Sequence, residues 1–142
     1  MEKRYDVVVV GGGPAGYSAA LYCVRAGLSV LVLEMLSAGG QMATTSQVDN
    51  YPGFDSGVDG FELAEKMQAG AERFGAVSEF AEVTGMELGG QPKVIHTTDG
   101  TVEARAVVLA MGASPRKMGL PGEAELVGRG VAYCAACDGM YY

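Results

Sequence analysis

The run Val7-Val8-Val9-Val10-Gly11-Gly12-Gly13-Pro14-Ala15-Gly16 decides how the rest of the chain is read. Four consecutive valines have no polar face, which is the pattern of a strand buried on both sides in a parallel sheet. The turn that follows has the form Gly-x-Gly-x-x-Gly at Gly11, Gly13 and Gly16. Pro14 then opens a helical stretch expected to run to about Ala26, with Gly27 as its C-terminal cap. In such a unit Gly11 permits the tight turn, Gly13 lets backbone approach a pyrophosphate at the helix N-terminus, and Gly16 lets helix and strand pack closely.

A second apolar strand is expected from Ser29 to Leu33 and ends at Glu34. That acid stands about 20 residues beyond the glycines, where a carboxylate accepts from a ribose 2′-hydroxyl. No Arg or Lys lies between Arg25 and Lys66, so a 2′-phosphate has no evident partner and the site suits FAD or NAD better than NADP. Strand, glycine turn, helix, second strand and terminal acid together imply an α/β, dinucleotide-binding fold. Cys23, on the first helix, reads as a small core residue packed against the sheet.

Residues 35–60 are polar and glycine-rich without a clear period, and read as one long irregular stretch that is functional or solvated. Asp59-Gly60-Phe61-Glu62 has the form of a capping box, after which Phe61, Ala64, Met67, Ala71 and Phe74 recur at helical spacing and are expected in the core. Short strands are expected at 77–83, 86–88, 93–97 and 101–103, with turns at Gly89-Gly90 and Asp99-Gly100, as a small antiparallel excursion. His96, the single histidine, falls there and reads as a strand-face residue. A buried parallel-type strand returns at 106–111, and the turn at Gly112 is expected beside the same ligand as Gly13.

With 142 residues the chain is one domain's worth or slightly less. Its apolar runs are only strand-sized, so no membrane span or signal peptide is expected. The net charge of −7 opposes binding to nucleic acid or anionic lipid. Three cysteines do not make a secreted disulfide framework, and the chain reads as soluble and cytoplasmic.

Two of those cysteines stand in Cys134-Ala135-Ala136-Cys137-Asp138-Gly139. Such a pair closes a small disulfide ring whose opened thiolate is a nucleophile in thiol–disulfide exchange, with Asp138 as an adjacent proton donor. The same spacing is half of a zinc site, so the residues alone leave both readings open.

The whole chain resembles the low-molecular-weight, bacterial-type thioredoxin reductases. The likeness is carried by Gly11 to Gly16, Gly39-Gly40-Gln41, Asn50-Tyr51-Pro52-Gly53, Ala110-Met111-Gly112-Ala113, Gly119-Leu120-Pro121-Gly122 and the cysteine segment, in that order. The resemblance implies a Rossmann-like FAD domain with a parallel sheet, helices and a small antiparallel meander. It puts Gly13, Pro14, Ala15 and Gly16 at the FAD pyrophosphate, Glu34 at the adenosine ribose and Val83 near the adenine, with Gly11 also counted among the cofactor-binding residues. Gln41 and Asn50 fall near the isoalloxazine or ribityl and Gly112 at the flavin edge, with Gly40 and Ala110 also counted among the cofactor-binding residues. Electrons would pass from NADPH through FAD and a Cys134–Cys137 disulfide to thioredoxin, with Cys137 nearest the flavin, Asp138 as the acid and no metal. A homodimer is implied for the longer protein.

Two departures qualify the resemblance. Met111 stands where the family commonly has Thr, and the sequence ends at Tyr142 before any second glycine motif for NADPH. The expected organisation is therefore residues 1–115 as part of an FAD domain and 116–142 as the connection and start of an NADPH/redox domain, a fragment with little turnover and weakened FAD affinity. The reductase component of an alkyl hydroperoxide system is the nearest alternative, although it usually carries an added N-terminal region. Ferredoxin reductases of similar fold lack the cysteine pair, and a non-catalytic nucleotide module with zinc at the pair lacks a second ligand pair.

Overall fold

The computed structural model describes residues 3–135 and residue 139. Two of the expected site residues, Cys137 and Asp138, lie outside the described residues. The chain divides into two compact units, residues 1–112 and 113–142.

The first unit is a six-stranded sheet in the order β3-β2-β1-β6-β5-β4. Strand β1, Lys3–Val10, lies between β2, Val30–Glu34, and β6, Gly100–Leu109, and pairs in parallel with both. This central position explains the four valines: every one of Val7 to Val10 is buried, each contributing about 1.5–3 kcal/mol. Val7 and Val9 face a core with Tyr17, Ala20 and Val24 of helix α1, Pro14–Arg25, and Ala71 of helix α2, Gly60–Glu72. Val8 and Val10 face the opposite side, where Leu31, Leu33, Ile95, Val102 and Ala104 gather.

Helix α1 begins with Pro14 at its first position and ends at Ala26, where the N–H of Gly27 donates to Val24 O at 2.9 Å and that of Leu28 to Cys23 O at 3.2 Å. Gly27 has φ +83°, the left-handed conformation that glycine adopts without a Cβ penalty. Helix α2 starts at Asp59, whose carboxylate accepts from Phe61 N at 2.9 Å and Glu62 N at 3.0 Å. Glu62 itself pairs with Lys66 at 3.2 Å. At the amino end of the sheet Asp6 accepts from Ser29 N and Oγ and from Arg105 Nη1, which holds its carboxyl down to about 2.

Four expectations need correction. The expected strand 77–83 is two: β3, Val77–Phe80, joins the parallel sheet beside β2, whereas β4, Val83–Glu87, belongs to the antiparallel arm with β5, Lys93–Thr97. The expected strands 101–103 and 106–111 are one, because β6 pairs antiparallel with β5 over 100–104 and parallel with β1 over 102–109. Its C-terminal end is not buried, Leu109 being 51% exposed. Residues 35–60 are not structureless, since they contain a 3-10 helix, Gly40–Thr44, and an antiparallel bridge between Val48 and Val58. Finally, Phe61 and Phe74 are 50% and 47% exposed, and Leu63 is buried with Ala64 and Ala71 instead. Small residues occupy that helix face because its neighbours come too close for rings: a Cβ on Gly39 would stand 2.4 Å from Cβ of Ala64.

Candidate functional site

The glycines of the first turn divide two tasks between them. A Cβ on Gly11, which has φ +106°, would fall 2.2 Å from Ala110 O, and one on Gly16 would fall 1.8 Å from Gly11 O. Those two positions are closed by backbone, so they fix how β1, β6 and α1 meet. Around Gly13 the space is open, with only Gly39 O at 3.9 Å from a built Cβ. Gly13 is also the N-cap of α1 and has no side chain to satisfy the helix end. The first intrahelical bond of the α1 ladder runs from Tyr17 N to Gly13 O at 3.0 Å; Pro14 has no N–H, so Ala15 and Gly16 carry the orphan donors of the first turn. Open space, free N–H groups and a helix N-terminus make a cradle that accepts an anionic pyrophosphate.

Glu34 adjoins this cradle at the end of β2. Its Oε2 accepts from Gly12 N at 2.7 Å and its Oε1 from Met35 N at 2.7 Å. Each carboxylate oxygen keeps a further lone pair for a ribose hydroxyl. Ala81 N donates to Glu34 O at 2.9 Å, which sets Val83 two residues past that contact at the start of β4. Gly39 N donates to Gly12 O at 2.7 Å, so Gly40 and Gln41 open their 3-10 helix directly against the glycine turn. Ala110 N donates to Val10 O at 2.8 Å, and Gly112 follows with φ +69°. Gly11 to Gly16, Glu34, Gly39 to Gln41, Ala81 to Val83 and Ala110 to Gly112 are thus gathered at the carboxyl ends of the parallel strands. That is the edge at which doubly wound sheets bind ligands.

Asn50 lies in the loop closed by the Val48–Val58 bridge, where Gln47 Nε2 donates to Asp49 Oδ1 at 3.0 Å and to Ser56 O at 3.1 Å. Cys23 is a free thiol, half-buried against the core. His96 has a cross-strand partner that sequence spacing did not reveal, Glu87 Oε1 at 3.0 Å from Nε2. Three contributors to the cradle were also missed, namely Gly39, Gly12 and Ala81, all through backbone groups. Gly12 and Gly39 each stand beside other glycines, which marks a close backbone approach, whereas Ala81 had no signal.

In the second unit Cys134 is half-buried and disulfide-bonded. A sulfur held in a disulfide is a site for exchange with a thiolate. No helix among the described residues is long and apolar enough to cross a membrane.

Comparison with known proteins agrees with this chemistry. The family described as Pyridine nucleotide-disulphide oxidoreductase matches residues 5–142. A thioredoxin reductase of Listeria monocytogenes is 48% identical over 141 residues, 99% of this chain and 44% of the relative. A bifunctional thioredoxin reductase/thioredoxin of Mycobacterium leprae is 50% identical over 142 residues, 99% of this chain and 31% of the relative. Among solved structures, thioredoxin reductase from Streptococcus pyogenes superposes with a TM-score of 0.85 at 42% identity, covering all of this chain and 46% of its own. The chain therefore spans less than half the length of these relatives. A cradle for a dinucleotide followed by a cysteine held in a disulfide is the pairing expected of such a match, and this chain belongs to the pyridine nucleotide-disulphide oxidoreductase family.

Proposed function

We propose that this chain supplies the FAD-binding elements and the redox cysteines of an NADPH-dependent thioredoxin-disulfide reductase. The observation that carries the reading is the open cradle at Gly13, bounded by Gly39 and by the carboxylate of Glu34, in a chain whose Cys134 is disulfide-bonded. The similarity to proteins named thioredoxin reductase supports the choice of thioredoxin as substrate. Residues 1–115 form the FAD part and 116–142 the start of the redox domain.

In this proposal FAD, when bound, supplies a two-electron carrier between a nicotinamide and a disulfide. Ala15 and Gly16 would donate N–H groups to its pyrophosphate, Gly13 would leave the room, Gly11 would permit the tight turn against Ala110, and Pro14 would preset the helix. Glu34 accepts from the adenosine ribose, and Val83 packs by the adenine. Gly40, Gln41, Asn50, Ala110 and Gly112 lie toward the flavin. Once Cys134 and Cys137 are reduced, the thiolate of one attacks the substrate disulfide, forming a mixed disulfide and expelling a substrate thiolate. Asp138 gives a proton to the leaving sulfur. The second cysteine thiolate then attacks its neighbour, restoring the Cys134–Cys137 disulfide and releasing dithiol substrate.

A titration of the longer protein that contains this chain with FAD tests the first half: saturable quenching of flavin fluorescence is expected, and its absence removes the FAD reading. For the second half, NADPH-dependent thioredoxin reduction by the longer protein that contains this chain is expected to vanish in Cys137→Ser. Retained turnover in that variant removes the exchange mechanism. Activity with a peroxidase and none with thioredoxin replaces the substrate by that of the hydroperoxide system.

A further inference from the structure

The segment that leads to Cys134 is organised around a carboxylate that the proposed chemistry does not use. Glu123 opens a four-residue helix, Glu123–Leu126 (α3), and at 6% exposure is the one charged side chain buried among the described residues. Its Oε1 accepts from Met118 N at 2.9 Å, and its Oε2 from Gly119 N at 2.6 Å and Leu120 N at 3.2 Å. The hydroxyl of Tyr133 donates to Oε1 as well. Three successive backbone N–H groups converging on one anion form a nest, here filled by a side chain of the same chain. The bond from Tyr133 and then that from Met118 N hold the Glu123 carboxyl down to about 2, and the same carboxylate raises the Tyr133 phenol.

The loop between these two attachments is closed by its own backbone. Arg129 N and Val131 N donate to Leu126 O at 2.8 and 3.0 Å, and Gly128 N donates to Val131 O at 3.0 Å. The single carboxylate therefore ties the entry of the loop, residues 118–120, to its exit at Tyr133. Tyr133 is bonded directly to Cys134 in the chain.

We infer that Glu123 and Tyr133 are positioning residues for the Cys134 disulfide, anchoring the residue before that cysteine so that the closed ring is favoured over the open dithiol. Closing a ring of this kind costs the freedom of the backbone beside each sulfur, and a segment already held in place has less of it to lose. A hydrogen bond to a charged acceptor is strong enough to do the holding. This deepens the proposed function and rests on that disulfide being the redox centre.

The test is the thiol–disulfide equilibrium of the full chain in glutathione buffers. Two glutathione thiols give up two electrons and two protons, the Cys134 disulfide becomes two thiols, and glutathione disulfide is released. Tyr133→Phe and Glu123→Gln are each expected to move this equilibrium toward the dithiol by about tenfold, the scale of one hydrogen bond to a charged group. A second readout, the ultraviolet titration of the Tyr133 phenol obtained by difference from Tyr133→Phe, is expected to fall toward the ordinary tyrosine range in Glu123→Gln. An unchanged equilibrium in Tyr133→Phe overturns the inference, and because that variant loses one hydroxyl it remains decisive even where Glu123→Gln does not fold. The measurement uses neither FAD, NADPH nor thioredoxin. Failure of the flavin reading and failure of the clasp are therefore seen in separate experiments.

Discussion

The cradle at the sheet edge and the loop before Cys134 are both built to hold backbone still, and they do so by opposite means. The cradle is fixed by crowding: Gly11 and Gly16 are closed in by backbone, and adjoining bonds reach the turn from Glu34 and Gly39. The loop is fixed by one carboxylate with four donors. Crowded backbone tolerates the loss of any one hydrogen bond and no added atom. A clasp built on a single anion depends on its charge.

Substitutions that add one methyl group separate the two regimes most sharply. Gly16→Ala places a carbon where Gly11 O stands and is expected to cost about 3 kcal/mol or more, the upper range of overpacking, read as a large fall in the urea midpoint. Gly13→Ala meets open space at a φ of −79° that alanine adopts freely. Its stability is expected to stay within about 0.5 kcal/mol of the parent while its affinity for FAD falls about tenfold, because the methyl enters the volume proposed for the pyrophosphate. Equal loss of stability in the two variants breaks the distinction between a packing glycine and an approach glycine.

A smaller effect is expected at Asp59, whose carboxylate caps α2 beside the 3-10 helix. Asp59→Ala should cost about 1 kcal/mol in urea unfolding without moving FAD affinity beyond that change. The most local effect is that of acid. Glu123 is depressed from 4.5 to about 2, so its contribution is complete above about pH 4.5 and is lost as pH falls toward 2. Asp6 is depressed from 3.8 to about 2 and follows just below. Hydrogen exchange at the amides of Met118, Gly119 and Leu120 should therefore accelerate in that window while the amides of β1 stay protected. Uniform loss of protection in both units contradicts the view that the clasp acts alone.

What the sequence made legible was what is local in the chain. Strand, glycine turn, helix and second strand follow one another within residues 3–34, so their pattern is visible without knowledge of partners. The continuity of β6 was hidden because Glu103 and Arg105 interrupt its apolar run. Both neighbours pair with β6 over residues 102–104, β5 on one edge and β1 on the other, so the strand does not stop at those side chains. Phe74 matched a helical stripe but lies under the guanidinium groups of Arg25 at 5.9 Å and Arg73 at 4.9 Å. Periodicity counts an aromatic ring as core, although a cation over its face satisfies it at the surface. The order in residues 35–60 was invisible for another reason, since it comes from backbone bonds to Gly12, Thr45 and Val48, which leave no side-chain pattern. Glu123 reads in sequence as one more surface acid after a Pro-Gly turn, and only the converging N–H groups set it apart.

The placement of β1 between β2 and β6 bears on how the molecule comes into being. As a nascent chain emerges, the first strand finds its partner on one side within about 30 residues but waits for residues 102–109 to complete the other. Until then its second edge presents unpaired backbone donors and acceptors, the kind of surface that recruits other chains. Chaperone demand for this protein should therefore be concentrated in the interval of synthesis between the second strand and the sixth.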